Sequence, residues 1–268
     1  YICENNVTTL IWAVSALCLI TTFHGLDYKV PQKVNKILFS GEVMPIKHIR
    51  EWIKYLPNAT YVNLYGPTEI TCNCTYHVVE KDLKYEKQIP AGKTFENEQV
   101  FLLDEENKLV TEKEKIGEIC VKGTALALGY YKDKEQTQNR FVQNPLNDKY
   151  IDMIYKTGDI GYFGEDENLY FCGRKDFQIK HMGHRIELEE IERAMEKING
   201  IERACCIYKE EKSKIYGFYI GNVLKSEVHD KLKEELPIYM IPNVLTQVEE
   251  FPMNKNGKID RKQLKELA

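Results

Sequence analysis

Between Val34 and Gly66 the chain reads "VNKILFSG", then "PIKHIREWIKYLP", then, after a short link, "ATYVNLYG". The outer two runs are short, apolar and closed by glycine, which marks strands ending in turns. The middle run is amphipathic at helical spacing. Strand, helix, strand in that order predicts a parallel βαβ unit, because a parallel partner can be reached only by a crossover. Open parallel sheets bind ligands beyond the carboxyl ends of their strands, so the turn after "NLYG" is where a site is expected.

Further along, from Ile89 to Phe171, the texture changes. "QVFLLDEENKLV" reads as strand, acidic turn and strand, while "GEICVKG" and "NLYFCG" are short strands bounded by glycine. That spacing predicts antiparallel structure. After "GRKDFQIK" come a hairpin turning at Gly183 and a helix over "ELEEIERAMEKI", acidic in its first turn. Strands around Ala204–Tyr208 and Ile215–Ile220 and a helix near Glu227–Glu235 follow. The last hundred or so residues are expected to form a small α+β domain, with a boundary near Arg174 to Phe177.

The apolar run "LIWAVSALCLI", Leu10 to Ile20, is too short to span a bilayer and lacks the basic flank of a secretory signal, so a buried helix is expected. The chain opens at Tyr1 and enters this run almost at once, which reads as a fragment whose N-terminal portion lies elsewhere. Charged residues are 29% and hydrophobic residues 43% of the 268, with a net charge of −4. That balance fits a soluble globular protein and offers no footprint for nucleic acid or an acidic membrane. Eight cysteines without C-x-x-C spacing and six scattered histidines spell neither a zinc site nor a disulfide framework. Reduced thiols in a cytoplasmic protein are the simplest account.

Three stretches carry chemistry. "NLYGPTE", Asn63 to Glu69, puts an amide, an aromatic ring, a hydroxyl and a carboxylate on one tight turn. Those groups suit an adenine amino group, an adenine ring, a phosphate oxygen and a hard cation; alone, the stretch is equally a plain β-turn. "YKTGDIGYF" presents Asp159 after a glycine, able to take two hydrogen bonds from a ribose diol or to form an Asx turn between strands. "GRKDFQIKHMGHRIELEEIE" offers Arg174 and Lys180 to hydroxyls or phosphate, or as solvated charges. Its His181 and His184 are expected to be exposed and without a metal role.

Taken together, these stretches resemble the adenylate-forming enzymes, which include the adenylation domains of nonribosomal peptide synthetases. The resemblance runs in order through "NLYGPTE", "GEICVKGTALALGYYKDKEQTQNRF", "YKTGD", "GRKDFQIKHMGHRIELEEIE", "LPIYMIP" and "NKNGKIDR", and covers about the second half of a family member. The segment "LFSGEVMPIKHIREWIKYLPNATYVNLYGPTE" looks most like the D-alanine:carrier-protein ligases of teichoic acid D-alanylation. The implied fold is α/β: residues 1–174 as a parallel βαβ portion and an antiparallel barrel-like portion of a truncated large domain, and residues 175–268 as a small mobile α+β domain.

The resemblance implies ATP and Mg²⁺ as cofactors, a small amino acid as substrate and a phosphopantetheine-bearing carrier protein as partner. By motif position, Tyr65 and Phe171 sandwich adenine, Asn63 bonds its amino group, and Leu64, Gly66 and Pro67 complete the turn. Thr68 meets the α-phosphate, Glu69 ligates Mg²⁺, and Asp159 and Arg174 hold the ribose. Lys258 is the catalytic lysine and Asp176 the hinge. Leu38, Ser40, Leu64, Cys72 and Asn73 surround the acyl pocket, whose two leucines favour an alanine-sized substrate.

The sequence departs from the family in lacking the Ser/Thr/Gly-rich phosphate loop and the aspartate that binds a substrate ammonium; both are expected upstream of Tyr1. Ser40 stands where alanine-type ligases commonly carry cysteine. The 268 residues alone are therefore expected to catalyse little. Three readings remain open: a stand-alone D-alanine ligase, a peptide-synthetase adenylation domain for another small amino acid, and a non-catalytic fragment that binds nucleotide or carrier.

Overall fold

The computed structural model describes residues 1–85, 88–175, 177–254 and 259–268. The chain divides into two compact units, Tyr1–Asp176 and Phe177–Ala268.

The first unit opens with strand β1 (Thr9–Ala13), helix α1 (Val14–Thr22) and a single helical turn α2 (Gly25–Tyr28). The expected βαβ unit follows as β2 (Lys36–Ser40), α3 (Ile46–Tyr55) and β3 (Thr60–Tyr65), with β1, β2 and β3 paired in parallel. Strands β4 (Thr75–Val78) and β5 (Lys93–Thr94) extend this sheet antiparallel. Helices cover one face. Ile37, Phe39 and Tyr61 of the strands pack there with Leu17 of α1 and Ile49 and Trp52 of α3. Each such side chain removed from water contributes about 1.5–3 kcal/mol. Their polar tips are satisfied: Trp52 Nε1 donates to the Leu17 carbonyl at 3.1 Å, and the Tyr61 hydroxyl to the Trp52 carbonyl at 2.8 Å.

The buried helix expected over Leu10–Ile20 is corrected. Its first part is β1, because the run from Thr9 pairs with β2 residue for residue, and an unbroken apolar run does not by its period separate strand from helix. Only one side of α1 is covered: Val14 and Leu17 are buried while Leu19 is exposed.

A second sheet has the order β10-β9-β7-β6, formed by β6 (Glu98–Leu103), β7 (Gly117–Gly123), β9 (Met153–Phe163) and β10 (Leu169–Arg174), all antiparallel. Between β7 and β9 the chain forms α4 (Lys134–Arg140) and the short β8 (Phe141–Gln143), which pairs with β9. The second strand expected in "QVFLLDEENKLV" is reduced to one bridge between Leu103 and Leu109, because Asp104 closes a tight turn by accepting from the Glu106 and Lys108 amides.

The second unit begins with the hairpin β11 (Gln178–His181) and β12 (His184–Glu187), joined by Met182 and Gly183 with φ of 52° and 80°. Two consecutive positive φ values make the mirror-image turn that suits strand twist, and glycine takes the second at no steric cost. Helix α5 (Leu188–Glu196) buries Leu188, Ile191, Ala194 and Met195 against β13 (Ile201–Lys209) and β14 (Lys214–Gly221). Then come α6 (Lys225–Glu235), β15 (Val244–Gln247), parallel to β14, and α7 (Arg261–Leu267). Asp260 caps α7 by accepting from the Lys262 and Gln263 amides.

No helix among the described residues is long and apolar enough to cross a membrane. None of the eight cysteines is in a disulfide.

Candidate active site

At the carboxyl end of β3 the chain leaves the sheet through Gly66 and Pro67 into a single 3-10 turn, Thr68–Ile70. Gly66 is there for closeness: a Cβ at that position would lie 2.5 Å from the Cα of Asn73 and 2.8 Å from the Cys72 carbonyl. The turn therefore folds flat against the segment that follows it. Tyr65, the last residue of β3, is buried, and its hydroxyl donates to Asp159 Oδ2 at 2.6 Å. Burial, and then the charge of Asp159, hold the Tyr65 phenol well above its ordinary pKa, so it stays a donor.

Asp159 does not follow a turn between strands, as its glycine neighbour led one to expect; it lies inside β9 and is buried. It is presented by a bulge. Glu118 pairs with Ile160 and Cys120 with Lys156, so Thr157, Gly158 and Asp159 stand opposite Ile119 alone. Gly158 takes φ of 73° there, a conformation that favours glycine. The bulge is braced on both sides. Thr157 Oγ1 donates to the Ile119 carbonyl at 2.7 Å and accepts the Asp159 amide at 2.9 Å. The Gly158 amide donates to Glu118 at 3.2 Å.

Arg174 is the cross-strand partner of Asp159 and donates from Nη1 to Asp159 Oδ1 at 2.5 Å. A second bulge explains how it shares a face with Phe171. Phe171 pairs with Gly161 and Gly173 with Ile160, with Cys172 as the extra residue of the bulge. Residues three apart would otherwise point to opposite faces of a strand; the extra residue restores the same face. The Phe171 ring lies 6.3 Å from that of Tyr65, tilted by 39°. Gln88 donates to the Phe171 carbonyl at 2.6 Å and holds this end of β10.

Asn63 is buried in β3, and its Nδ2 donates to the Pro90 carbonyl at 2.7 Å, which fixes the amide with its oxygen as the acceptor end. Glu69 is also buried. Its Oε1 accepts the Tyr130 hydroxyl at 2.6 Å, and that hydroxyl lies 3.2 Å from the Tyr155 hydroxyl. Burial, then the bond to Glu69, pushes the Tyr130 phenol up.

Tyr65, Asp159, Phe171 and Arg174 thus come together, with Asn63 on β3 and Glu69 on the turn that follows it. Leu38 and Ser40 stand apart from this network on β2, facing away from Ile37 and Phe39, with Leu38 paired to Val62 of the neighbouring strand. Cys72 is exposed with φ of 93°, and Asn73 carries a buried side-chain oxygen with no hydrogen-bond partner among the described residues. Lys258 and Asp176 lie outside the described residues. His181, expected exposed, is instead buried, its ring edge-on to Tyr208 and 3.3 Å from the Tyr208 hydroxyl. His184 is exposed and stacks on Tyr239. Tyr130, Thr157 and Glu118 brace the site and were not singled out from sequence; each acts through a partner on another strand or turn, which no local pattern displays.

Residues 1–131 match the family described as "AMP-binding enzyme". Gramicidin S synthase 1 of Brevibacillus brevis is 39% identical over 90% of this chain and 22% of its own length. Zwittermicin A synthase ZmaJ of Bacillus cereus is 36% identical over 97% of this chain and 51% of its own. A solved structure described as an NRPS protein containing adenylation and PCP domains, bound to a vinylsulfonamide inhibitor, superimposes with a TM-score of 0.82. It is 30% identical and covers 97% of this chain and 45% of that one. Over residues 1–131 the chain is thus similar to AMP-binding enzymes, and it spans about half or less of the length of these relatives.

Proposed function

We propose that the chain is part of an enzyme that uses ATP to activate an amino acid as its adenylate and passes the acyl group to the phosphopantetheine thiol of a carrier protein. The observation that carries this reading is the Tyr65–Asp159–Arg174 network beside the β3 turn.

A carboxylate has about four lone-pair sites. With one taken by Tyr65 and one by Arg174, Asp159 keeps lone-pair capacity for both hydroxyls of a ribose diol once its buried oxygens are opened to the ligand. Arg174 reinforces the same diol. An adenine ring needs about 7 Å between two flanking faces. Tyr65 and Phe171, 6.3 Å apart and tilted, therefore open slightly and turn parallel to take the base between them. The Asn63 oxygen accepts from the adenine amino group, and Thr68 meets the α-phosphate.

Glu69 fits a magnesium ion, since hard cations that travel with nucleotides are held by one or two carboxylates plus phosphate oxygens. A carboxylate buried beside the turn and steadied by Tyr130 is such a donor. The ion would neutralise phosphate charge when bound.

In the first half-reaction a substrate carboxylate oxygen attacks the α-phosphorus. The new C–O–P link forms as the bond to the bridging oxygen breaks, and pyrophosphate leaves. We assign Lys258 the task of stabilising the charge that gathers there; removing one such contact costs on the order of 10²–10³ in rate. In the second half-reaction the carrier thiol attacks the acyl carbon, the thioester forms and AMP leaves. Rotation about Asp176 is proposed to exchange the two arrangements.

For the substrate, Leu38 and Leu64 favour a small side chain, and Ser40 and Asn73 add polarity. The solved relative described as an NRPS protein containing adenylation and PCP domains moves the reading toward a peptide-synthetase adenylation domain and away from a dedicated D-alanine ligase. Amino-acid-dependent ATP–pyrophosphate exchange by the full-length protein, run across small amino acids including D-alanine, tests this. Exchange with one or a few of them is expected. Exchange with none would overturn the enzymatic reading.

A further inference from the structure

We propose that Arg261 and Glu192 form a clamp that positions Lys258 for the adenylation step, with Arg261 a positioning residue and not a catalytic one. This rests on the role assigned above to Lys258.

Arg261 is the first residue of α7 and stands three positions after Lys258. Its guanidinium donates to both oxygens of Glu192 on α5, Nη1 to Oε1 at 2.6 Å and Nη2 to Oε2 at 2.9 Å. Nη1 also donates to the Cys206 carbonyl on β13 at 2.5 Å. Glu192 Oε1 in turn accepts the Cys206 amide at 2.6 Å. The far face of the guanidinium lies over the Phe177 ring, 3.8 Å from its centroid. One planar group therefore joins α7, α5, β13 and Phe177, the first residue of the second unit and the neighbour of Asp176.

The chain on either side of residues 255–258 is held in the same place. Met253 bridges Ile259, and the Asp260 amide donates to the Pro252 carbonyl at 2.7 Å. Phe177 and the residues that flank 255–258 are thus fastened to one piece of the second unit.

The chemistry of the clamp fits a positioning task better than a stability task. A largely buried ion pair costs desolvation, and well-packed apolar residues often serve stability as well or better. What an arginine fork supplies is fixed geometry, which a lysine ammonium lacks. Burial works to lower the pKa of the guanidinium, yet its bonds to Glu192 outweigh that and raise it, so it is charged at every working pH.

The test uses the full-length enzyme and two assays: amino-acid-dependent pyrophosphate exchange, and acyl transfer to the loaded carrier from preformed aminoacyl-adenylate. Arg261→Lys and Glu192→Gln each break the fork, and Phe177→Leu is a milder variant should either misfold. Misplacing a reacting group by about 1 Å costs up to about 10²-fold. Each fork variant is expected to lower kcat for exchange by about 10- to 100-fold. Phe177→Leu should lower it less, with KM for ATP and the transfer rate unchanged in all three. Equal loss in both half-reactions, or exchange unaffected by all three variants, would overturn the clamp. Lys258→Ala separates this from the parent reading. If it collapses exchange while the clamp variants do not, the clamp alone fails; if it leaves exchange intact, both fail.

Discussion

Tyr65 is asked to do two things at once, and its phenol can be tested apart from its ring. In Tyr65→Phe the ring remains while Asp159, almost wholly buried, loses a donor at 2.6 Å. Leaving a buried acceptor short of a partner costs about 1–3 kcal/mol. Urea unfolding of the variant should show a loss of that size, and an unchanged midpoint would mean the bond does not form in solution. The thiols give a second residue-scale check. Burial pushes Cys205 and Cys120 up to about 12, so neither offers thiolate near neutrality. An alkylating reagent at about pH 8 should label the exposed Cys72 and Cys172 before either of them; prompt labelling of Cys205 would contradict the packing of β13.

At the scale of elements, the hairpin β11–β12 carries a pH dependence. Burial, then the nearby His184, lowers the pKa of His181 from its ordinary 6.5. The folded state therefore binds the proton less readily than the unfolded chain. The stability from neutral His181 is complete above 6.5 and is lost as pH falls through the lowered folded value. His181→Gln should flatten the fall in urea midpoint seen between about pH 7.5 and pH 5. A variant with the same slope as the parent would show that His181 is not the titrating group.

The same scale shows what sequence could carry. The βαβ unit was legible because its strands close on glycine and α3 keeps a clean helical period. The Gly183 hairpin was legible because a two-residue turn needs glycine. The bulge that presents Asp159 was not, since register is a property of β7 and β9 together and "YKTGD" looks the same straight or bulged. The β1 strand hid inside a continuous apolar run, and the burial of His181 depends on Tyr208, contributed by a strand far along the chain. Of the site, the residue types at the β3 turn stood out, whereas their braces Thr157, Glu118 and Tyr130 did not.

For the whole molecule, the account holds that the network at the end of β3 grips the ribose of ATP and that activation depends on it. The chain spans only part of its relatives, so the full-length protein is the proper subject. The most direct measurement is amino-acid-dependent pyrophosphate exchange by full-length Asp159→Ala as a function of ATP concentration. A lost pair of hydroxyl contacts to a charged group is worth about 1.5–3 kcal/mol each. The account predicts that KM for ATP rises at least about 10-fold while KM for the amino acid stays within about twofold. A variant whose KM for ATP matches the parent would contradict it.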